Sequence, residues 1–272
     1  VIVLDNASTD GSAAMVAEQF PAVTLLAQPE NLMFGPGANE AARHARGEYV
    51  LFLNADVRIS PTQVLTMAEF LRAHPGVGAC SVRERDAQGR LRPLPRPPPT
   101  LGGELLNLVA LRRLTLLGRS ADGPQPGLMG FCLMLPRRLG EELGYFDPEY
   151  HLYLEDTDLC LRIRKAGYEL RYVPGVVVTH LHGRSSAQVD RALRWVWQAQ
   201  GAARLICRHY APGHAKAVLA AALLGATWEL LLSAVAIVLT LGQVRFLRMR
   251  LRALPHMAAI YLRALLFGAP NC

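Results

Sequence analysis

The chain has 272 residues, 51% of them hydrophobic, with a mean hydropathy of +0.18 and a formal charge of +7. That is too apolar for disorder and long enough for one large domain, or one domain with an appendage. Residues 201–272 hold eight of the 29 Lys and Arg but one of the 22 acids, Glu229, and the neutral body this leaves excludes a nucleic-acid partner, which needs a basic face. Cys80, Cys132, Cys160, Cys207 and Cys272 are odd in number, scattered and without a CxxC pair. This pattern argues against a disulfide framework or zinc site, and a reducing compartment is the default.

In chain order, "VIVLD" reads as a buried strand running into a polar loop, "NASTDGS", that can cap a helix over residues 12–19. "AVTLLAQ" is a second strand, "PENLMFGPG" a loop, and "ANEAARHAR" a helix of small residues ending at Gly47. "EYVLFLNAD" is a third strand, apolar until Asn54 and Asp56 at its end. Ser60 as N-cap and Pro61 in first position open a helix through "QVLTMAEFLRAHP". Strands alternating with helices predict an α/β fold with a mainly parallel sheet flanked by helices. "RPLPRPPPTLGG" is a proline-rich loop, and the stretch up to Gly127 carries no clear element. "GLMGFCLMLPRRLGEELGYFD" predicts a strand and then a helix, and "ELRYVPGVVVTHLHGRSS" a strand entering a His- and Ser-containing loop.

Residues 217–244 contain one charge, Glu229, in 28 positions, a length that can span a bilayer. A carboxylate near the centre of a span costs roughly 2.5–3.5 kcal/mol, and a single crossing from a cytoplasmic body would put Arg245, Arg248, Arg250 and Arg252 outside, against the positive-inside tendency. A hairpin with residues 253–269, or a helix lying in the interface with its arginines on headgroups, meets both objections. A helix buried against the body is the alternative without a membrane. The expected division is an α/β domain over residues 1–200 and a hydrophobic, basic, helical membrane-associating tail over residues 201–272.

Ligands of α/β sheets gather at the carboxyl ends of strands. Three polar clusters fall there: Asp5, Asn6, Ser8 and Asp10 after the first strand, Asn54 and Asp56 after the third, and His180 and His182 after "VVVT". Each has a plainer reading, as helix capping, an ordinary turn and packing respectively. "HLYLEDTDLCLRIRKAGYE" adds Glu155, Asp156 and Asp158 ahead of an aliphatic run with helical spacing. Acids suit the first turn of a helix, where the dipole end is positive; an acid/base or metal role is the competing reading.

"VIVLDNASTDGS", "NLMFGPGANEA", "YVLFLNADV", "GYFDPEYHLYLEDTDLCLRIRKAGY" and "HLHGRSS", in this order and spacing, resemble the pattern of family 2 glycosyltransferases. These are GT-A-fold enzymes, and the likeness is to the bacterial rhamnosyltransferase-like branch that builds cell-surface polysaccharide. The resemblance implies a metal-dependent inverting transferase at the cytoplasmic face of the cell membrane. It would move a sugar, with rhamnose from dTDP-rhamnose as a candidate, from a nucleotide-sugar donor to a lipid-linked or polysaccharide acceptor. Asp5 is implied as partner of the pyrimidine base, with Asn6, Ser8, Asp10, Asn31, Gly35, Gly37, Asn39 and Asn54 also on the donor side. Asp56 would hold Mg²⁺ or Mn²⁺ against the diphosphate, His180 would complete the metal site, and Asn54 stands where the family usually has an Asp. Asp156 is implied as catalytic base. Glu155, Asp158 and Gly130 are expected on the acceptor side, with Asp158 also a candidate cap or first-turn partner of its helix and Glu155 a candidate partner of an Arg.

One departure stands out: the family's first strand and helix are expected ahead of "VIVLD" and are missing. That implies a fragment, or a degenerate, non-catalytic membrane-bound relative that binds nucleotide or a partner transferase. A nucleotidyltransferase is the third reading, and "NLMFGPGAN" lacks the lysine its phosphate loop would need.

Overall fold

The computed structural model describes residues 1–95, 97–108, 120–181, 190–240 and 244–269; His182 lies outside them. The chain divides into two compact units, one from Val1–Pro93 and Ala121–Leu181, the other from Leu94–Ser120 and His182–Cys272.

The first unit contains β1 (Ile2–Asp5), α1 (Ser12–Gln19), β2 (Thr24–Ala27), α2 (Phe34–Arg43), β3 (Tyr49–Leu53), β4 (Val57–Arg58), α3 (Pro61–Ala73) and β5 (Val77–Arg85). After the residues assigned to the second unit it resumes with β6 (Cys132–Pro136), α5 (Arg137–Leu143), α6 (Glu155–Lys165) and β7 (Glu169–His180). Local chemistry accounts for several boundaries. Ser60 and Gln63 form a reciprocal capping box at α3, with Pro61 in the first turn. Gly35, Pro36 and Gly37 lie inside α2 rather than in a loop, because a first-turn proline gives up no helical hydrogen bond. Gly37 packs closely there: a Cβ would come within 3.1 Å of the Leu4 side chain.

The sheet is mixed, which corrects the expected mainly parallel arrangement. Its order is β3-β6-β5-β7-β4; β5 and β7 are parallel, and every other neighbouring pair is antiparallel. β1 and β2 form a separate parallel pair. Parallel neighbours need a crossover that returns the chain to the starting edge. Between β5 and β6 the chain instead runs through residues of the second unit and re-enters beside the end of β3, where Leu53 pairs with Cys132, so β6 runs backwards. β5 was not expected as a strand. Its Gly, Ala, Cys and Ser carry weak β preference, but it lies between β6 and β7 and is buried through Val82.

The sheet must also curl. Four inter-strand steps across a flat sheet span about 19 Å, whereas four residues of extended chain from Leu53 to Val57 reach about 14 Å. Yet β3 and β4 sit at opposite ends of the strand order. The bend lies in β7, where pairing jumps from Tyr172 opposite Ser81 to Val177 opposite Arg83. Pro174 and Gly175 occupy that irregularity, where proline costs no ladder bond. The end of β7 thus returns towards the end of β3, and β4 pairs Val57 with His180. Beneath lies a core that includes Met67, Val82, Cys132, Met134 and Val178. Burial pushes the thiols of Cys132 and Cys160 up to about 12, so both are inert core groups.

The second unit is helical among its described residues: α4 (Leu101–Leu108), α7 (Arg191–His209), α8 (Pro212–Leu239) and α9 (Arg245–Phe267). Asp190 caps α7 through the amides of Ala192 and Leu193. Ala199, Ala203, Val218, Leu219, Ala222 and Ala264 form its core, where small residues let the helices approach closely. α8 is long and apolar enough to cross a membrane, with a mean hydropathy of 2.0 and 22% of that window buried. Glu229 on α8 pairs with Arg250 on α9.

Candidate active site

The loop after β1 is held by the residues picked out there. The buried Asp5 carboxylate accepts the Ser8 amide at 3.0 Å, and Asn6 accepts Leu32 N–H at 2.7 Å while donating to the Met33 carbonyl at 3.1 Å. Asn31 accepts the Met33 amide at 2.8 Å. Gly35 and Gly37 are buried in the first turns of α2, against Phe146 and against Leu4 and Asn6. Asn39 clamps Phe146 in both directions, at 2.7 Å and 3.0 Å. Ser8 and Asp10 are exposed. The hydroxyl and amide of Ser12 hold the Asp10 carboxyl below its ordinary range, a local contact ahead of α1, whose N-cap is Gly11 without a side-chain cap bond.

Among the described residues, the non-glycine positions with positive φ are Ala7, Met33, Tyr145, Tyr153 and Leu154. All lie in segments that carry candidate residues or lead directly into them. Such conformations cost about 1–3 kcal/mol each and persist only where neighbours over-determine them. Asp5 reaches across Ala7, and Asn6 and Asn31 brace Met33. Arg162 donates to the carbonyls of Leu143 and Tyr145, and Asp158 N–H bonds the Leu154 carbonyl.

Gly130 and Phe131, entering from the N-terminal end of β6, join the remaining candidates. Gly130 N–H donates to Asp156 Oδ2 at 2.9 Å, and a Cβ on Gly130 would press on Asp156 and meet Phe34 at ordinary contact distance. The Phe131 carbonyl accepts Asn54 N–H at 2.9 Å, and its ring stacks on His180 at 4.9 Å. His180 Nε2 lies 3.1 Å from Asp56 Oδ1, and its Nδ1 lies 2.8 Å from Glu84 Oε2. Asp56, Asn54, His180 and Asp156 therefore converge on two consecutive residues. The Asp5 cluster connects to them through Phe34, whose ring meets Phe146 at 5.4 Å. Phe131 and Glu84 escaped sequence reasoning. Glu84 could have been found as the charged end of the buried run "VGACSV", which follows the turn signal His74-Pro75-Gly76.

The three acids divide the work by burial. Asp156, part-buried, also accepts the amide and hydroxyl of Thr157. Burial raises its pKa, and the bonds from Gly130 and Thr157 oppose that shift. Glu155 is buried with Oε2 lacking a hydrogen-bond partner, and burial, then the Asp156 charge, pushes it up to about 8. Asp158 is fully buried, and its carboxylate receives Arg162 at 2.7 Å and the Tyr150 hydroxyl at 3.4 Å. Leu154, not an acid, occupies the N-cap of α6. Among the described residues, no group of three or more His, Cys, Asp and Glu is arranged to hold a metal ion.

Residues 1–144 match the family described as glycosyl transferase family 2, and residues 107–269 match glycosyl transferase family group 2. The chain is 29% identical over 211 residues to the N-acetylglucosaminyl-diphospho-decaprenol L-rhamnosyltransferase of Mycobacterium tuberculosis (strain ATCC 25618 / H37Rv), covering 69% of this chain and 68% of that protein. It is 26% identical over 161 residues to rhamnosyltransferase WbbL of Escherichia coli (strain K12), covering 57% and 61% respectively. In fold it is similar to a mannosyltransferase of Pyrobaculum calidifontis solved with GDP-Man and Mn²⁺, with a TM-score of 0.57, 21% identity, and coverage of 99% of this chain and 78% of that one. GalNAc-T7, solved with UDP, GalNAc and Mn²⁺, gives a TM-score of 0.53 at 13% identity over 75% of this chain and 41% of that one. A GT-A-like α/β body with strand ends gathered around paired carboxylates, matched over more than half its length by the family, makes this chain a member of glycosyl transferase family 2, related to rhamnosyltransferase-like proteins.

Proposed function

We propose that the first unit is a metal-dependent, inverting transferase that moves rhamnose from dTDP-rhamnose to a lipid-linked or polysaccharide acceptor. The names of both relatives support the sugar, and that of the mycobacterial one supports a lipid-linked acceptor. The observation that carries the reading is the convergence of Asp156, Asn54 and the Asp56–His180 pair on Gly130 and Phe131.

In this reading Asp156 takes the acceptor hydroxyl proton as its oxygen attacks the anomeric carbon. A base whose pKa is raised by burial, with three hydrogen bonds opposing the shift, suits that work. Asp5, Asn6 and the first turns of α2 take the donor, and Asn31 and Asn39 brace them. Glu155, with Oε2 unpartnered, is the better candidate of the remaining acids for contacting the acceptor. Asp158, closed off and bound to Arg162, orders the loop.

Asp56 and His180 fit a divalent ion. Their donor atoms lie 3.1 Å apart, near the ~3 Å expected for adjacent ligands in an octahedron with bonds of about 2.1 Å. Two protein donors are enough where diphosphate oxygens and water fill the other positions. When bound, Mg²⁺ or Mn²⁺ would neutralise charge developing on the leaving diphosphate. The second unit fits a role at the cytoplasmic face of the cell membrane, through α8 and the arginines of α9.

The test is transfer by the full chain with Mn²⁺ and dTDP-rhamnose, UDP-sugars or GDP-mannose, on a lipid-diphosphate acceptor. Turnover with dTDP-rhamnose above the others supports the proposal. Transfer of another sugar overturns the donor, and absence of both transfer and donor hydrolysis favours a non-catalytic relative.

A further inference from the structure

Two core-facing rows end in ionisable groups at the same end of the sheet. On β5 the row through Cys80 and Val82 ends at Glu84; on β7 the row through Val176 and Val178 ends at His180. Glu84 is in register with Val178, and His180 lies two residues further on the same face. Both are nearly closed to solvent, at 6% and 5% exposure. Burying a carboxylate at the end of an apolar row is costly unless it is bonded. Glu84 Oε2 meets His180 Nδ1 at 2.8 Å. Phe131 covers the face of the same ring, so the imidazole is fixed in position and rotation, with Nε2 towards Asp56.

We infer that Glu84 is a positioning residue: it accepts the Nδ1 proton of His180, so that the imidazole offers its Nε2 lone pair, beside Asp56, to a divalent ion. The inference rests on the proposed metal-dependent reading. Glu84 meets the ring at the nitrogen opposite Nε2, so it serves the ion through His180 rather than as a third ligand. Carboxylates bonded to metal-ligating histidines fix the tautomer and raise ligand basicity, and losing one typically weakens metal affinity about 10–100-fold.

The experiment measures Mn²⁺ affinity of the full chain by electron paramagnetic resonance, with saturating UDP or dTDP, for wild type, Asp56→Ala, His180→Ala, Glu84→Ala and Glu84→Gln. Thermal stability without metal is followed in parallel. Expected is a loss of about 10–100-fold for Glu84→Ala and a smaller one for Glu84→Gln, which keeps an acceptor oxygen. If Asp56→Ala and His180→Ala lose affinity while Glu84→Ala binds as wild type, the positioning role is overturned and the metal site stands. If none of the variants loses affinity, both fall. Should Glu84→Ala fail to fold, Glu84→Gln decides: affinity several-fold below wild type supports the inference, and wild-type affinity overturns it.

Discussion

Asp156 and Glu155 are adjacent carboxyl groups with opposite provision. Asp156 has the Gly130 amide and both donors of Thr157, whereas Glu155 Oε2 has no hydrogen-bond partner. Hydrogen bonds favour the ionised form and burial the neutral one; burial raises both carboxyl groups, and at Asp156 the bonds from Gly130 and Thr157 oppose the shift. Asp156→Asn should lower transfer by about 10²-fold or more, the usual contribution of a general base, while UDP or dTDP binding by calorimetry stays near wild type. Retention of more than about a tenth of the rate would move the role to another residue. Glu155 makes a separate prediction about stability. Its folded pKa of about 8 lies above the ordinary 4.5, so the folded state binds that proton more tightly. Its stabilising contribution is complete below about 4.5 and is lost as pH rises through about 8. Glu155→Gln should therefore remove a fall in melting temperature that wild type displays between pH 5 and 9. Parallel melting curves for the two proteins would show that Glu155 ionises freely.

At the scale of elements, α6 is tied to the loop before it by one guanidinium. Arg162 bonds Asp158 on its own helix and the carbonyls of Leu143 and Tyr145 beyond it. It thereby supports a segment that holds Tyr145, Tyr153 and Leu154 at positive φ. Removing one partner of a buried pair strands the other charge, at a cost of about 3–5 kcal/mol. Arg162→Ala should lose about that much by urea unfolding, and adding Asp158→Ala should recover part of it. A double variant no more stable than the single one would mean that the carbonyl contacts, not the ion pair, carry the effect. In the other unit, α8 exposes Leu224, Trp228, Leu231, Leu232, Val235, Val238 and Leu239, at spacings that keep them on one side of the helix. Leu231→Asp with Val235→Asp should cut sedimentation with phosphatidylglycerol vesicles while leaving the melting temperature nearly unchanged. A large drop in melting temperature would mean that this stripe is covered by protein.

At the scale of the molecule, the positive charge and the apolar stripe belong to one hairpin. Arg248, Arg250 and Arg252 lie in the first turns of α9, where the helix dipole opposes cations. Arg250 is paired with Glu229 and lies over Phe246. The Glu229 charge that argued against burial in lipid is thus matched within the hairpin. If the second unit binds a membrane as proposed, apolar insertion combined with arginine–phosphate attraction would make that binding depend on lipid charge and on salt. Full-length protein should sediment with phosphatidylglycerol vesicles, less so with phosphatidylcholine, and least in high salt. Protein that stays in the supernatant with every lipid would refute the membrane role.

Some of this was legible in the residues alone. α3 follows from contiguous signals, since the Ser60–Gln63 box and the apolar spacing behind it lie within a few turns of one another; α1 stands over residues 12–19 as expected, but begins at Gly11 without a side-chain cap. The polar clusters at the ends of β1, β3 and β7 were visible for the same reason. The direction of β6, the strand at Val77–Arg85 and the roles of Phe131 and Glu84 were not. Glu84 and His180 stand 96 positions apart, and no local pattern records which strands become neighbours or which way each runs. Those are settled when the apolar rows of β5, β6 and β7 pack on one core, and when a curled sheet brings the end of β7 back to Asp56. The sequence alone determined which groups stand at strand ends; the tertiary structure decided which of them face one another, because pairing and curvature arise from packing between distant segments.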